Sequence, residues 1–259
     1  MLLNKLEELI GQSLIAFVKE LGKVTILAGD SVRLIFMGKV RIKLTMEQMV
    51  KVGYESLPLA LAASAFVGMV FAMQISTEFV RFGAGKFVGG IMAIAMAREL
   101  GPALIGIVIA ARVAASITAE IGTMQVTEQI DALKALGSNP VRYLVIPRFI
   151  ACAAMLPILT ILGDIVGFFG GYAVGVLVVH INPVEYLDTA QGLMKTWDIW
   201  GGLIKTLVFG MVIAIIACHK GLETKGGAKG VGAATTSSVV ACLMSLFIIN
   251  YFLSIAFFK

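Results

Sequence analysis

Charged residues are scarce in this chain of 259 residues, since Asp, Glu, Lys and Arg together supply 14% of it. Soluble domains carry roughly 25% charged residues. Apolar residues make up 59% of the chain, which is more than one soluble core of this length can bury. The composition excludes a water-soluble enzyme, a nucleic-acid-binding module and a disordered segment. It predicts an all-α polytopic membrane protein.

Residues that bind metals or nucleotides are also few. The three cysteines lie singly in apolar runs, and His180 and His219 belong to no metal-binding or catalytic motif. No Gly-Lys pair is followed by Ser or Thr, so the phosphate-binding P-loop is absent. We therefore predict no metal site, no catalytic residues and no cofactor bound by this chain.

Five apolar stretches are each about long enough to cross a membrane, which takes about 20 helical residues. The second and third stretches are longer than one upright crossing, and they contain Pro102 and Pro157, which predict a kink or a tilt. The five stretches are residues 57–76, 87–117, 149–180, 201–218 and 238–258.

The first 28 residues have apolar side chains at steps of three and four, which is typical of an amphipathic helix. We predict that this helix lies along the membrane surface; the alternative is a soluble helix packed on its own chain. The predicted organisation is an N-terminal interfacial segment, 1–53, followed by a five-span domain, 54–259.

The distribution of Lys and Arg predicts the orientation, because positive charge favours the cytoplasmic side. The N-terminal segment and the loops 118–148 and 219–237 are rich in Lys and Arg, whereas the loop 181–200 has an excess of acids. The N-terminus is therefore predicted to be cytoplasmic and the C-terminus to lie on the outer side.

Small residues recur every four positions in two of the spans, at Gly163, Gly167, Gly171 and Gly175 in the third. The second span has a similar stripe from Gly106 to Thr118. Such stripes let another helix approach closely. The partner helix belongs either to the same subunit or to a second subunit.

Charges inside the spans are the strongest functional signal, because each costs about 2.5–3.5 kcal/mol to insert at the membrane centre. Arg98 and Glu99 are adjacent, so they point about 100° apart and need not pair with each other. They form either a polar patch that meets a lipid head group or a structural ion-pair network. Lys205 and Arg112 are expected to reach an interface, and Asp164 to hydrogen-bond within the bundle.

The loop between the second and third spans contains an apolar stripe and predicts an amphipathic helix over about 118–137. Thr127 is a favourable start, and Gly137 with Pro140 a favourable end. The helix packs either on its own bundle or in a groove of a soluble partner. The stripe consists of Met124, Ile130, Leu133 and Leu136.

Four stretches together resemble the MlaE/YrbE permeases, the membrane subunits of ABC transporters that move phospholipids and related lipids with MCE-domain partners. The similarity extends over nearly the whole chain and is most specific in the second span and the loop after it. The four stretches are residues 97–102, 111–124, 127–133 and 140–148.

The resemblance implies a homodimer in a bacterial inner membrane that maintains outer-membrane lipid asymmetry. The partners would be an ATPase subunit that binds the ATP, a hexameric periplasmic MCE-domain protein and, as a further candidate, a small STAS-type subunit. The 118–137 helix would be the coupling helix. Its expected ATPase-coupling residues are Glu120, Met124, Glu128, Asp131, Leu133 and Gly137.

The resemblance also implies a lipid cavity lined or supported by Arg98, Glu99 and Lys205. An amphiphile needs an apolar wall as well as a few charges. Met69 and Met73, beside Phe71 in the first span, are candidate contacts for acyl chains, with ordinary lipid-facing or core packing as the alternative. The competing functions are a self-sufficient ion-coupled carrier or channel and a non-transporting membrane scaffold.

Overall fold

The computed structural model describes residues 2–38 and 40–259, with the side chains of residues 11, 15, 18–38 and 40–259. Within that part of the chain every regular element is helical and no strand occurs. The helices are α1 Leu2–Phe36, α2 Ile42–Val52, α3 Leu57–Arg81, α4 Val88–Ala95, α5 Gly101–Ile109, α6 Ala115–Val126, α7 Gln129–Ala135, α8 Ile146–Leu177, α9 Pro183–Leu193, α10 Thr196–Leu222 and α11 Gly227–Phe258.

Five helical stretches in the described residues are long and apolar enough to cross a membrane, which confirms the prediction of five spans. Short 3₁₀ turns and π-helical turns join neighbouring helices within the first three stretches, so each runs longer than its apolar part. The predicted domain boundary at residue 54 falls inside the first of them. The spans are Ile42–Arg81, Gly85–Val126, Val141–Leu177, Thr196–Leu222 and Gly227–Phe258.

The glycine stripe of the third span packs inside this chain. A Cβ added at Gly68 of α3 would strike the backbone of Gly167, and one added at Gly163 would lie 2.7 Å from the Ser64 Oγ atom. The first and third spans therefore meet backbone to backbone. Of the two alternatives for this stripe, packing within one subunit is confirmed. Pro157 lies inside α8, which continues through it.

The fourth span forms the centre of the bundle. In its most apolar window 67% is buried, against 11% in the fifth span and 28% in the first. The second span packs against it, and the Thr118 hydroxyl donates a hydrogen bond to the Ala217 carbonyl and is also hydrogen-bonded with the Ser238 hydroxyl. The fifth span consequently presents most of its apolar surface outside this chain.

The bundle has two ends, which we name after their short helices. The α7 end lies where α6 ends and α8 begins, and helix α1 packs there against α10 and against the π-helical turn Val141–Val145. The α9 end carries α9, which packs on α4 although residues 181–200 were expected to be a loop. Helix α1 extends to Phe36, beyond the predicted limit of residue 28.

Candidate functional site

Arg98 and Glu99 lie in a π-helical turn, Met96–Leu100, that joins α4 to α5 in the second span. The Glu99 carboxylate accepts a hydrogen bond from the Lys205 ammonium at 2.7 Å. Arg98 instead pairs with Asp198, with 2.7 Å between its Nη2 atom and the Asp198 Oδ1 atom. The two adjacent charges thus reach different neighbours, as their helical positions predict. The turn is of a kind that is frequent at functional sites.

Lys205 is fully buried and does not reach an interface, so that expectation was wrong. Its ammonium donates to three acceptors inside the bundle, which are the Glu99 carboxylate, the Arg98 carbonyl oxygen at 2.9 Å and the Ser254 hydroxyl at 2.7 Å. These acceptors occupy all three of its N–H groups. A lysine that is satisfied in this way has no need to extend toward water.

Helix α11 closes one side of this site. The Asn250 amide donates to the second oxygen of the Glu99 carboxylate at 3.1 Å. The Phe258 ring lies 4.8 Å from the Arg98 guanidinium and 4.9 Å from the Lys205 ammonium, within the range of cation–π attraction. The site is therefore built from the second, fourth and fifth spans. We call Arg98, Glu99, Asp198 and Lys205 the charged cluster.

The charged cluster is buried on one side and open on the other. Lys205 and Asp198 are 0% and 1% exposed, whereas the side chains of Arg98 and Glu99 are 31% and 42% exposed. The two buried groups hold the two accessible ones in place. The cluster thus presents one cation and one anion side by side, with a net charge of zero.

Met69 and Met73 are not part of this cluster, whose hydrogen bonds and ion pairs come from α10 and α11. Met69 lies on α3 where α3 meets Gly170 of α8, and Met73 is 49% exposed. Their predicted contact with acyl chains stays a prediction. It would have to be made at the first span.

Asp164 of α8 does not form the expected hydrogen bond through its Oδ1 atom, which is buried without a partner among the described residues. That atom faces Gly101, where any Cβ would collide with it. Arg112 is more exposed and donates to the Glu55 carboxylate at 2.9 Å and to the Ser56 hydroxyl at 2.6 Å. It ties the second span to the start of the first.

The predicted helix over 118–137 is divided in two. Helix α6 carries the second span to Val126, and α7 begins at Gln129 after Glu128, which has a left-handed backbone with φ of 60°. The predicted start at Thr127 lies two residues before the first residue of α7, and the Thr127 hydroxyl donates to the Thr123 carbonyl within the preceding turn instead of capping α7. Gly137, with φ of 71°, follows the end of α7 as expected.

The division separates the predicted coupling residues into two groups. Glu120 and Met124 belong to α6, where Glu120 pairs with Lys51 and with Arg148, and Met124 packs against the core. The others lie on α7 or beside it, away from that ion-pair network. This second group consists of Glu128, Asp131, Leu133 and Gly137.

Helix α7 is attached to the bundle by one residue and is otherwise open. Ile130 is buried, Leu133 is half-buried, and Leu136 just after the helix is 81% exposed. Asp131 and Lys134 form an exposed ion pair at 2.8 Å. The α7 end therefore displays a short helix with an uncovered apolar residue.

Comparison with known proteins decides which family this arrangement represents. The family described as Permease MlaE matches residues 45–256. A probable ABC transporter permease protein of Synechocystis is 48% identical over 225 residues, covering 87% of this chain and 86% of that protein. A protein with the same description from Rickettsia prowazekii is 40% identical over 258 residues and covers both chains completely.

The chain belongs to the MlaE permease family. The resemblance seen in the sequence is thereby confirmed, and the chain is the multi-pass permease component of an ABC transporter. Such a component implies an ATPase partner. A third relative is the chloroplastic protein TRIGALACTOSYLDIACYLGLYCEROL 1 of Arabidopsis thaliana, 42% identical over 236 residues, which cover 91% of this chain and 67% of that protein.

A second charged group joins α1 of this permease to the C-terminal end of α10. Glu20 pairs with Lys220 and Lys23 with Glu223, and His219 lies between the two carboxylates. The hydrogen bond from Lys220 lowers the pKa of the Glu20 carboxyl below its usual value of 4.5, although burial opposes this. The pattern of the sequence did not reveal this group, since its members lie about 200 positions apart.

Proposed function

We propose that this permease moves phospholipids between a bacterial inner membrane and a periplasmic MCE-domain carrier, and so maintains outer-membrane lipid asymmetry. The observation that carries the proposal is the half-open charged cluster inside an apolar bundle. A purely structural network has no need of accessible members, because a buried ion pair is satisfied by its own partner and hydrogen bonds. Here the accessible halves of two pairs, Arg98 and Glu99, stay open.

The chemistry of the open pair suits a phospholipid head group. The Arg98 guanidinium, whose Nε and Nη2 atoms pair with Asp198, keeps the N–H groups of its Nη1 atom for a phosphate oxygen, and the Glu99 carboxylate accepts from an ammonium group. Lys205 and Asp198 hold these two side chains from behind. A zwitterionic head group would therefore meet one charge of each sign without adding net charge to the bundle.

The acyl chains need an apolar wall beside the charges. Helix α11 supplies one, since its outer face is exposed while Asn250 and Ser254 on the same helix reach the charged cluster. Met69 and Met73 of the first span are further candidates. The exposed large side chains of α11 are Val240, Met244, Phe247, Ile248, Tyr251, Phe252 and Ile255.

A relative also supports a lipid substrate. The name of the Arabidopsis protein contains that of a diacylglycerol lipid with three galactose units. A lipid substrate is inferred for this permease from that name and from identity of 42% over most of the chain. The lipid here is proposed to be a phospholipid, because the charged cluster fits a charged head group better than a neutral sugar.

Coupling to ATP hydrolysis is proposed to run through α7. The ATPase subunit binds the ATP, and its groove would receive Leu133 and Leu136, with Glu128 and Asp131 at the rim and Gly137 shaping the exit. Glu120 and Met124 would contribute to coupling indirectly, through their packing in the bundle. A partner influences the bundle only by binding two conformations with different affinity, and α7 offers it a surface for doing so.

The remaining partners and the orientation are proposed from the resemblance and from the loop charges. A second copy of the chain would face the open side of the charged cluster and enclose the lipid. The α7 end and the N-terminus would be cytoplasmic and the α9 end periplasmic, where a hexameric MCE-domain protein and the C-terminus would lie. Exposed apolar residues of α1, including Ile15, Val18 and Ile26, suit a membrane surface, and a small STAS-type subunit is a further proposed partner.

The proposal is tested by ATP-driven phospholipid transfer from proteoliposomes that contain the permease and its ATPase. Arg98→Ala should reduce transfer at least tenfold, because it removes the donor set for the phosphate. The matched control is Arg81→Ala, which removes an exposed arginine that is also paired with a glutamate. Equal transfer by both variants and the wild type would contradict a lipid-binding role for Arg98, and the absence of ATP-driven transfer by the wild type would favour a scaffold. Transfer that needs an ion gradient instead of ATP would favour a self-sufficient carrier.

A further inference from the structure

The group at the junction of α1 and α10 contains a buried histidine whose Nε2 atom has no hydrogen-bond partner among the described residues. His219 is 5% exposed. Its Nε2 atom lies 3.2 Å from the Glu20 Oε1 atom and 3.4 Å from the Glu223 Oε2 atom, yet neither approach has hydrogen-bond geometry. Buried polar atoms nearly always have a partner, so this atom indicates a ligand.

We propose that Glu20, His219 and Glu223 bind a zinc ion. Zinc takes imidazole nitrogen at about 2.0–2.1 Å and carboxylate oxygen at about 2.0–2.2 Å in tetrahedral geometry, which places the donor atoms about 3.3 Å from one another. The two distances from Nε2 are 3.2 and 3.4 Å, and all three donor atoms lie within 4.8 Å of one another. Small side-chain movements would therefore place the three donor atoms at three corners of a tetrahedron around a single ion.

The charges and the access fit this assignment. Two carboxylates with one neutral imidazole balance the charge of Zn²⁺, and a water molecule supplies the fourth ligand. The Glu20 and Glu223 side chains are 34% and 37% exposed, so the ion reaches the site from solvent. Lys220 and Lys23 pair with the same carboxylates and compete with the ion for them.

The ion would join two separate parts of the permease, which are α1 and the C-terminal end of α10. Glu20 belongs to α1, His219 to the fourth span, and Glu223 to the connection between the fourth and fifth spans. Binding would fix the N-terminal helix to the centre of the bundle at the α7 end. This role is independent of which substrate the transporter moves.

Isothermal titration of the purified, chelator-treated permease in detergent with zinc chloride tests the proposal. We expect one equivalent to bind to the wild type, and His219→Gln and Glu20→Gln to weaken binding at least tenfold. His180→Gln is the matched control, because His180 is the only other histidine of the chain and lies beside α9. It should bind zinc as the wild type does.

Two outcomes would overturn the proposal. One is the absence of zinc binding by the wild type, and the other is unchanged binding by His219→Gln. Thermal unfolding of each variant without zinc checks that it is folded, and Glu223→Gln replaces any variant that is not. Lys220→Met should bind zinc more tightly than the wild type because a competing cation is gone, and weaker binding would count against the site.

Discussion

Removing both partners of the Glu99–Lys205 pair should destabilise the permease less than the two single removals added together. Lys205 is 0% exposed, and Glu99→Gln leaves its ammonium buried beside a neutral amide. Breaking a fully buried pair costs about 3–5 kcal/mol. Because Glu99 is 42% exposed and the Ser254 and Arg98 oxygens remain, we expect a loss of about 2 kcal/mol in the free energy of unfolding.

The complementary variant should cost less. Lys205→Met leaves the Glu99 carboxylate, which is 42% exposed and keeps its hydrogen bond from Asn250, so we expect about 1 kcal/mol. The double variant buries no unpaired charge, and its loss should fall below the sum of the single losses by at least about 1 kcal/mol. The measurement is equilibrium unfolding of the purified protein in detergent micelles.

An exposed pair provides the control for this cycle. Glu78 and Arg81 form an ion pair on α3 whose side chains are 58% and 69% exposed. Their coupling should be at most about 0.5 kcal/mol. A coupling between Glu99 and Lys205 that is no larger would refute the inference that the pair is a buried anchor.

Three further predictions concern helix packing, coupling and orientation. Gly68→Ala places a Cβ against the backbone of the third span and should cost about 2 kcal/mol in unfolding free energy. The control is Gly192→Ala, whose Cβ meets open space and which should cost much less. Equal losses would contradict the backbone contact. Leu133→Asp and Glu128→Lys should abolish ATP-driven transfer in proteoliposomes while leaving the permease folded, and normal coupling in both would argue against α7 as the ATPase contact. Lys134→Cys creates an accessible thiol in a chain whose three cysteines are buried, so maleimide should label it only from the cytoplasmic side; labelling from outside intact cells would reverse the orientation.

The spans could be predicted from the sequence because hydropathy is a property of each residue and needs no knowledge of the fold. The divergence of Arg98 and Glu99 was equally predictable, since it depends only on the angle between adjacent helical positions. The stripe around Gly167 predicted close helix contact because small residues at four-residue spacing share one face of a helix. Whether its partner lay in the same subunit was decided by the packing of α3.

The partners of the charged cluster could not be predicted, because they come from distant parts of the chain. Asp198 lies 100 positions from Arg98, in a region expected to be an outer loop, and Asn250 lies 151 positions from Glu99. Asn250 and Ser254 are polar residues four positions apart in a mostly apolar span, and Asn250 is the only amide side chain of residues 238–258, which is the signal that could have identified them. No feature of the sequence around Asp198 predicted that its side chain is buried in the bundle.

The division between α6 and α7 could not be located from the sequence either. It occurs at Glu128, which has a left-handed backbone that normally favours Gly or Asn. With neither residue present, the apolar stripe from Met124 to Leu136 favoured one continuous helix, although the favourable helix start at Thr127 lies beside the observed start of α7. The break is what frees α7 from the second span and leaves Leu136 exposed.

The central claim is that the charged cluster holds a phospholipid, and native mass spectrometry of the purified permease tests it most directly. The wild type, released from detergent in the spectrometer, should retain bound phospholipid. Arg98→Ala should lose most of that lipid, while Arg81→Ala should keep it. A wild type that carries no phospholipid, or an Arg98→Ala variant that carries as much as the wild type, would contradict the account.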